Sequence, residues 1–355
     1  MDPINLDDLR ALAKERLPPM VWDYYASGAF DERTLRDNEA AWGRLRLVHR
    51  VLRGVANRSL STSVLGQPMA LPILLAPTAM QAMAHPDGEL ASARAAAACG
   101  AVMVLSTLSN HPVEAVCAAH PGGVWFQLYV YKDRGATRDL VARAEAAGCR
   151  ALVFTVDAPV LGTRERDRRN RFHLPEGLGF GNLPPAAAMS GDKADSSLAT
   201  YVRDQIDPGI GWSTLDWLQS LTKLPVVVKG VAHPDDARLA REHGARALIV
   251  SNHGGRQLDG GVPTAELLPD IVDAVDCEVL VDGGLRRGGD VLRALALGAR
   301  AVLIGRPVLW GLAADGEAGV RKTLDILRAE LDETLALVGA DDVQALSRSL
   351  IRSAP

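Results

Sequence analysis

Eight short apolar runs recur along the chain, and each leads through polar or glycine-rich residues into an amphipathic stretch. They span residues 71–76, 101–105, 124–128, 151–156, 225–229, 247–250, 278–281 and 301–304. Continuous apolar runs of this length are typical of strands that are buried on both faces, as in a parallel sheet. The pattern therefore predicts eight buried parallel strands.

Stretches rich in Ala and Leu, with charges at helical spacing, separate many of these runs. They span residues 88–98, 136–147, 235–243, 265–275 and 289–297. Four of these stretches are followed by a glycine just before the next apolar run, which is a signal for the end of a helix: Gly100, Gly148, Gly244 and Gly298. Eight strand–helix units predict an α/β fold, a single (β/α)8 barrel domain over residues 1–355. A doubly wound sheet is the alternative, but the chain lacks the G-x-G-x-x-G turn usual after its first strand.

Two segments fall outside the eightfold pattern. Residues 1–50 look mostly helical, and we expect them to pack on the barrel as an extension. Residues 160–212 form a long insert after the fourth strand, with a centre rich in Pro, Gly, Ala and Ser. Because the insert leaves the carboxyl end of a strand, we predict that it is a lid over a functional site.

Composition narrows the partners and the compartment. The 355 residues are 48% apolar, and the net charge of −4 is spread along the chain, so we expect neither nucleic acid nor a membrane as a partner. No apolar run is long enough to span a bilayer or to serve as a signal peptide, which predicts a cytoplasmic protein. Without C-x-x-C spacing, the cysteines are expected to be buried thiols rather than disulfides or zinc ligands, and we expect no metal site: Cys99, Cys117, Cys149 and Cys277.

Polar residues follow all eight predicted strands, where barrel enzymes carry their chemistry. In chain order they are Thr78 beside Pro77 and Ala79, Ser106, Gln127 and Tyr129, Thr155, Asp157 and Arg164, Lys229, Ser251, His253 and Arg256, Asp282, Gly283 and Gly284, and Gly305 and Arg306. Because the carboxyl ends of barrel strands meet on one face, these residues predict one large polar ligand site.

Three features of this set have both a structural and a functional interpretation. Lys229 ends a run of valines, so it is either paired with a core carboxylate or a fixed cation beside a ligand ring. His253 is either a structural strand-end histidine or a functional residue of the ligand site, and the nearby Arg256 and glycines favour the functional interpretation. The glycine–arginine turns at 283–286 and 305–306 are either tight turns or a phosphate site, and their shared position favours phosphate.

The residues also carry a family resemblance. SNHGGRQLD at 251–259 closely resembles the signature of the FMN-dependent L-2-hydroxy acid oxidases and dehydrogenases, which include glycolate oxidase and L-lactate oxidase. DYYASGA at 23–29, TVDAP at 155–159 and DGGLRRGGDVLRALALGA at 282–299 are similar to the same family. The likeness covers essentially the whole chain, in order and at matching spacing.

The resemblance implies FMN at the mouth of the barrel. It implies that the phosphate meets Gly284, Arg286, Gly305 and Arg306, while the ring contacts Thr78, Ala79, Ser106, Gln127 and Thr155. Pro77, Ser251, Asp282 and Gly283 complete the implied cofactor site. Lys229 is implied to face the pyrimidine end of the ring, where a cation makes the ring a better electron acceptor.

The resemblance also assigns roles toward substrate. Arg164 and Arg256, with the hydroxyls of Tyr24 and Tyr129, would hold the substrate carboxylate. His253 would remove a proton while Asp157 holds its imidazole, and Tyr129 joins these two as a catalytic group. Carbanion and hydride routes use the same base, so both stay open. Position 108 is Leu where plant glycolate oxidases carry a bulky aromatic, which favours L-lactate or longer aliphatic acids over glycolate.

The implied activity is oxidation of an L-2-hydroxy acid to the 2-oxo acid, with oxygen reduced to hydrogen peroxide. A soluble or peripherally attached dehydrogenase that uses another electron acceptor is the alternative. An FMN isomerase or an inactive flavin-binding protein is less consistent with the complete residue set around His253. The family also implies a homo-oligomer, either a tetramer or an octamer.

Overall fold

The computed structural model describes residues 2–183 and 197–353. Within them the strands are β1 (Leu45–Leu47), β2 (Thr62–Val64), β3 (Gln67–Met69), β4 (Ile73–Leu75), β5 (Met103–Leu105), β6 (Val124–Leu128), β7 (Leu152–Thr155), β8 (Val226–Val231), β9 (Ala247–Val250), β10 (Glu278–Val281), β11 (Ala301–Ile304) and β12 (Ile351–Ser353). The helices are α1 (Leu6–Arg16), α2 (Pro19–Ala26), α3 (Arg33–Arg44), α4 (Gly88–Cys99), α5 (Val113–Ala119), α6 (Arg134–Ala146), α7 (Glu165–Arg169), α8 (Ser197–Gln205), α9 (Trp212–Leu221), α10 (Pro234–Glu242), α11 (Thr264–Ala274), α12 (Gly288–Ala296) and α13 (Arg306–Leu337).

Strands β4 to β11 form a closed parallel barrel in which neighbours along the chain are neighbours in space. The circuit closes where β11 pairs with β4, so the barrel has no open edge. Each strand overlaps one of the eight apolar runs, with ends that differ by no more than two residues. The predicted (β/α)8 barrel is therefore confirmed.

Side chains of the barrel strands alternate between two apolar cores. In β9, for example, Ala247 and Ile249 pack in the inner core, whereas Leu248 and Val250 pack in the outer core beneath the helices. The hairpin of β2 and β3 adds Val64 to the inner core at the amino ends of the strands. This antiparallel hairpin and the pairing of β1 with β12 were not predicted from the sequence.

The helices begin and end where local sequence signals place them. At the start of α1 the Asn5 side chain accepts a hydrogen bond from the Asp8 backbone N–H at 2.9 Å. The four glycines that follow the predicted helices all have positive φ, as helix C-terminal glycines do: Gly100, Gly148, Gly244 and Gly298.

Residues 1–50 contain α1, α2 and α3, and α1 packs along α13. The insert at 160–212 contains α7 and α8 in its described parts, and its centre at 184–196 lies outside the described residues. Within the described ranges no helix combines the length and apolar character needed to cross a bilayer. The same part of the chain holds no cluster of three metal-binding His, Cys, Asp or Glu side chains.

Candidate active site

One cavity opens among the carboxyl ends of the barrel strands and gathers most residues of the predicted site. These are Tyr24, Pro77, Thr78, Ala79, Ser106, Leu108, Gln127, Tyr129, Thr155, Arg164, Lys229, His253, Arg256, Asp282, Gly283, Gly284, Arg286, Gly305 and Arg306. Asp157 and Ser251 do not line the cavity but contact residues that do. Ser251 Oγ accepts hydrogen bonds from Lys229 Nζ at 2.8 Å and from the His253 backbone N–H at 3.1 Å.

His253 and Asp157 form a hydrogen-bonded pair at the wall of the cavity. His253 Nδ1 lies 2.8 Å from Asp157 Oδ1. An ionised Asp157 accepts a hydrogen bond from the Nδ1–H group, and in this tautomer of the neutral ring Nε2 carries the lone pair. His253 has φ of 58°, and the two glycines after it also have positive φ. Left-handed backbone at a non-glycine residue is uncommon and gathers at functional sites.

A glycine on β8 determines how closely Asp157 approaches the barrel. Gly230 has φ of 108° at a register shift between β8 and β9, and a Cβ there would lie 2.6 Å from the Asp157 Cβ. Any larger residue would push Asp157 away from β8. Burial raises the pKa of Asp157, but the His253 ring and the Lys229 ammonium together outweigh it, so the net pKa is below its usual value. Asp157 is therefore a carboxylate at neutral pH.

Lys229 pairs with a carboxylate, as one interpretation of the sequence holds, and it also lines the cavity, while its place beside a ligand ring stays a prediction. Its Nζ lies 3.1 Å from Asp282 Oδ2, and its side chain is 5% exposed. Burial lowers the pKa of Lys229, but the carboxylates of Asp282 and Asp157 outweigh burial and raise the net value. The residue is therefore a fixed cation in the floor of the cavity.

Arg164 and Arg256 bring two guanidinium groups to one side of the cavity. Arg256 donates to the backbone carbonyls of Tyr24 at 2.7 Å and Ser27 at 2.9 Å, and no carboxylate pairs with it among the described residues. Arg164 is buried, and its nearest carboxylate is Asp167 at 3.8 Å. Burial and the neighbouring Arg256 charge lower the pKa of Arg164 to about 10. Two close, weakly compensated cations favour an anionic ligand between them.

Tyr24 and Tyr129 line the same cavity and keep their hydroxyl protons. The Tyr24 ring stacks on Phe172 at 4.3 Å between centroids, and the Arg256 guanidinium carbon lies 5.1 Å from the Tyr24 ring centroid. Burial raises the pKa of both tyrosines. Both hydroxyls are therefore neutral groups that can donate a hydrogen bond to an anion.

The glycine–arginine turns after β10 and β11 differ in why they contain glycine. Gly284 has φ of 80°, and a Cβ there would lie 1.9 Å from the Asn38 carbonyl oxygen, so the turn requires glycine regardless of any ligand. Gly305 has negative φ, and a Cβ added there would lie 3.4 Å from its nearest neighbour, Thr78 Cγ2. The absence of a side chain at Gly305 leaves space in the cavity rather than relieving strain.

The two arginines of these turns differ in their partners. Arg286 pairs with Glu39 at 2.7 Å and lies over the Trp310 ring. Arg306 donates to the carbonyls of Tyr25, Gly254 and Ser27, each at 3.0 Å, and has no carboxylate partner in the described chain. Burial, with the charges of Arg256 and Arg286, lowers the pKa of Arg306 well below its usual value. An anion beside Arg306 would relieve this repulsion.

The sequence reasoning missed an aliphatic part of the cavity wall. Leu161 lines the cavity, and so do Leu198 and Val202 of α8 and Ile206, which directly follows this helix. The four-residue spacing of the last three is the signal of one helix face and could have been recognised in the sequence. Other lining residues not predicted are Tyr25, Ala76, Ala158, Gly254, Gln257, Leu285, Leu303, Ile304 and Leu309.

Comparison with known proteins places this barrel and cavity in a family. Residues 13–353 match the FMN-dependent dehydrogenase family, and the chain belongs to it. It is an enzyme of the FMN-dependent 2-hydroxy acid oxidase type, and its cofactor is FMN. The resemblance identified from the sequence motifs is thereby confirmed.

Several relatives are similar over nearly their whole length. The L-lactate oxidase of Nostoc sp. is 53% identical, with 98% of each chain covered. Glycolate oxidase 3 of Arabidopsis thaliana is 51% identical, with 99% of this chain and 97% of that one covered. Among solved structures, mandelate oxidase with (S)-4-hydroxymandelic acid has a TM-score of 0.95 at 44% identity, covering 99% of this chain and 98% of that one.

The cavity has the polar groups that FMN requires. Buried side-chain atoms without a hydrogen-bond partner in the described chain include Gln127 Nε2, Thr155 Oγ1, Asp282 Oδ1 and Arg286 Nε. All four residues line the cavity. Buried polar atoms are rarely left unsatisfied in native proteins, so these atoms fit a polar ligand. Together with the cation of Arg306, they match a flavin ring and its phosphate.

Proposed function

We propose that this enzyme oxidises a small L-2-hydroxy acid to the 2-oxo acid and passes the electrons to oxygen, which yields hydrogen peroxide. The supporting observation is the His253–Asp157 pair, which shares one cavity with the Arg164 and Arg256 guanidinium groups. A base beside two cations fits a substrate that carries a carboxylate next to the carbon that is oxidised. A ligand without a carboxylate would leave both cations unpaired.

Substrate binding is proposed to depend on Arg164, Arg256 and the hydroxyls of Tyr24 and Tyr129. The two guanidinium groups offer paired N–H donors to the carboxylate oxygens, and the tyrosine hydroxyls add further donors. The carboxylate is thereby fixed on one side of the cavity. With the substrate hydroxyl directed to His253 and its alkyl group on the side of Leu108, three contacts fix the hand of the α-carbon, and by family resemblance that hand is L.

His253 is proposed to accept a proton from the substrate at Nε2, because Nδ1 is bonded to Asp157. Asp157 then stabilises the imidazolium that forms, without taking the proton itself. Tyr129 lines the cavity beside this pair and is proposed to stabilise charge that develops on the substrate oxygen. The same base serves whether the proton leaves carbon or oxygen.

FMN, when bound, supplies the acceptor for the two electrons that leave the substrate. We propose that the phosphate is held by Gly284, Arg286, Gly305 and Arg306, with Gly283 and Asp282 in the adjoining turn. The ring is proposed to contact Pro77, Thr78, Ala79, Ser106, Gln127 and Thr155. Lys229 would be the cation beside the ring, and Ser251 would orient its ammonium group through their hydrogen bond.

The role of Lys229 predicts a change in redox potential. We expect Lys229→Met to lower the FMN reduction potential by roughly 30–60 mV, about 1.4–2.8 kcal/mol for two electrons. The variant removes a cation and leaves the Asp282 charge uncompensated, and both changes disfavour electron gain by the ring. Anaerobic redox titration measures the potential. Lys14→Met is the control, because Lys14 is exposed on α1 and does not line the cavity. An unchanged potential with a raised KM would show that Lys229 binds substrate instead.

The electron acceptor is tested by separating the two halves of the reaction. Mixing the purified protein with L-lactate without oxygen should bleach the flavin absorbance. Admitting air should restore the absorbance and release one hydrogen peroxide per turnover. Fast bleaching followed by slow recovery in air, but rapid recovery with an added quinone, would replace the oxidase by the dehydrogenase alternative.

The aliphatic wall supports a preference for substrates longer than glycolate. Leu108 is buried and lines the cavity, whose aliphatic wall also includes Leu161, Leu198, Val202 and Ile206. We therefore also propose that the described ends of the 160–212 insert act as a lid over the substrate. Each substrate methylene that packs on this wall gains about 0.8 kcal/mol. The preference should therefore rise several-fold per carbon rather than be absolute.

Leu108→Trp should shift this preference toward glycolate. The indole ring fills the space that a substrate alkyl group would occupy, so kcat/KM should fall most for the longest acids. The measurement is kcat/KM for glycolate, L-lactate, L-2-hydroxybutyrate and L-2-hydroxyhexanoate, with D-lactate as the control for handedness. If the natural enzyme favours glycolate over every longer acid, or if the Trp variant keeps the natural order, position 108 does not determine chain length.

A further inference from the structure

Two buried cysteines lie side by side at the amino ends of the barrel strands, away from the FMN cavity. Cys117 is in α5, and Cys149 lies between α6 and the start of β7. Their sulfur atoms are 3.5 Å apart, and both residues are buried. All four cysteines are free thiols, so this pair is a dithiol.

A separate cavity reaches one member of this pair, Cys149. It has a volume of about 270 Å³ and is lined by Cys149 together with Trp125, Arg150 and Pro225. Gln67 of the β2–β3 hairpin also lines it and accepts a hydrogen bond from Trp125 Nε1 at 3.0 Å. The wall is therefore partly polar, which suits a small hydrogen-bonding molecule. None of these residues lines the FMN cavity.

We propose that Cys117 and Cys149 are a peroxide-reactive pair that hydrogen peroxide converts to a disulfide. Hydrogen peroxide is the product of the oxygen-dependent reaction proposed above, so the source of the oxidant during turnover rests on that proposal. The reactivity of the pair itself does not, because peroxide can be supplied directly. A bridge would join two segments 32 residues apart in the sequence, one of them next to a barrel strand.

The geometry needs only a small adjustment. A disulfide has its sulfur atoms about 2.0 Å apart, so the pair must close by about 1.5 Å. Rotation about the side-chain bonds and a slight shift of the short helix α5 can supply this. The other cysteines form no sulfur contact in the described chain, so Cys99 and Cys277 have no partner for the same reaction.

The sulfur–sulfur contact distinguishes this pair from the other two cysteines. It favours a thiolate on one of the two sulfurs, because the other thiol can donate its proton to it, and either sulfur can be the donor. Burial raises the pKa of Cys99 and of Cys277, which have no such contact among the described residues. Since the thiolate is the nucleophile, the sulfur of the pair that loses its proton reacts first, and the other sulfur completes the disulfide.

The reaction balances with one peroxide and two thiols. The thiolate of one cysteine attacks one peroxide oxygen, the O–O bond breaks, and the departing hydroxide takes up a proton as water, which leaves a sulfenic acid on that cysteine. The sulfur of the other cysteine then attacks this sulfenic sulfur, the S–O bond breaks, and a second water leaves with the thiol proton. Peroxide is reduced to two waters while the two thiols are oxidised to one disulfide.

The test treats the FMN-loaded enzyme with a small excess of hydrogen peroxide, then unfolds it in an alkylating reagent and maps the peptides by mass. We expect two of the four free thiols to disappear and a peptide joined through Cys117 and Cys149 to appear. Cys277→Ser is the matched control and should form the same linked peptide. Cys117→Ser and Cys149→Ser should abolish it.

Several results would overturn the inference: four thiols still alkylated, a different linked pair, or separate oxidation of Cys117 and Cys149 to higher acids. Each of these results is measured on the natural enzyme, so the test does not depend on whether a serine variant folds. A second arm replaces peroxide by substrate in air, with and without catalase. Bridging with added peroxide but none during turnover would uphold the thiol pair and count against oxygen as the acceptor.

Discussion

Replacing His253 with glutamine should leave FMN bound and slow the bleaching of its absorbance by substrate about 10²–10⁴-fold, the usual contribution of general-base catalysis. Glutamine is similar in reach, and its amide can donate a hydrogen bond to Asp157, but it cannot accept a proton at neutral pH. The phosphate and ring contacts proposed for FMN come from other strands, so cofactor binding should persist. Rapid mixing without oxygen measures the bleaching rate directly.

Two further variants separate loss of the base from loss of structure. His243 and Asp216 form a second His–Asp pair at 2.9 Å outside the cavity, so His243→Gln removes a similar contact and should keep the normal rate. His253→Asn tolerates the left-handed backbone at this position and should be as slow as the glutamine variant. A glutamine variant that bleaches at close to the natural rate would show that His253 is not the base.

The barrel could be predicted from the sequence because its determinants are local. Strands buried on both faces must be continuously apolar, and a helix end that turns back toward the sheet uses glycine, as at Gly148. The β2–β3 hairpin could not be predicted in this way. Its strands are three residues each, and its role depends on Val64 meeting residues of the inner core that are distant in sequence.

The active site also has parts that could be predicted from the sequence and parts that could not. Polar residues at strand ends were identifiable because the barrel brings every carboxyl end to one face. The aliphatic wall was missed because Leu198 and Val202 lie within a long insert whose path over the cavity the sequence does not define. The prediction of buried thiols holds for Cys99, Cys117 and Cys149 but not for Cys277, which is only partly buried. Contact between Cys117 and Cys149 could not be predicted, because it depends on how α5 packs beside α6. The predicted oligomer and cytoplasmic location stay predictions.

Replacing Arg256 with methionine should lower kcat/KM for L-lactate roughly 30- to 5,000-fold, about 2–5 kcal/mol for removing one partner of a desolvated charge pair. Arg256 has no carboxylate partner in the described chain, so its charge is available to the substrate. Methionine keeps much of the apolar stem that packs near the Tyr24 ring. Steady-state kinetics with varied L-lactate measure kcat/KM. The kcat/KM of Arg256→Lys should lie between those of the natural enzyme and Arg256→Met, because lysine keeps the charge but lacks the planar guanidinium group.

A neutral substrate tests whether this loss comes from the carboxylate contact. Arg256 also holds the Tyr24 and Ser27 carbonyls, so its removal could act through the backbone. If the lost contact is to the carboxylate, the variant should lose far less kcat/KM on L-lactamide, which has the same size and no charge. Arg134→Met is the matched control, since Arg134 lies 4.8 Å from the Trp217 ring centroid and outside the cavity. Equal losses of kcat/KM on L-lactate and L-lactamide would show that Arg256 acts by holding the backbone carbonyls. Arg164 would then be the residue that binds the carboxylate.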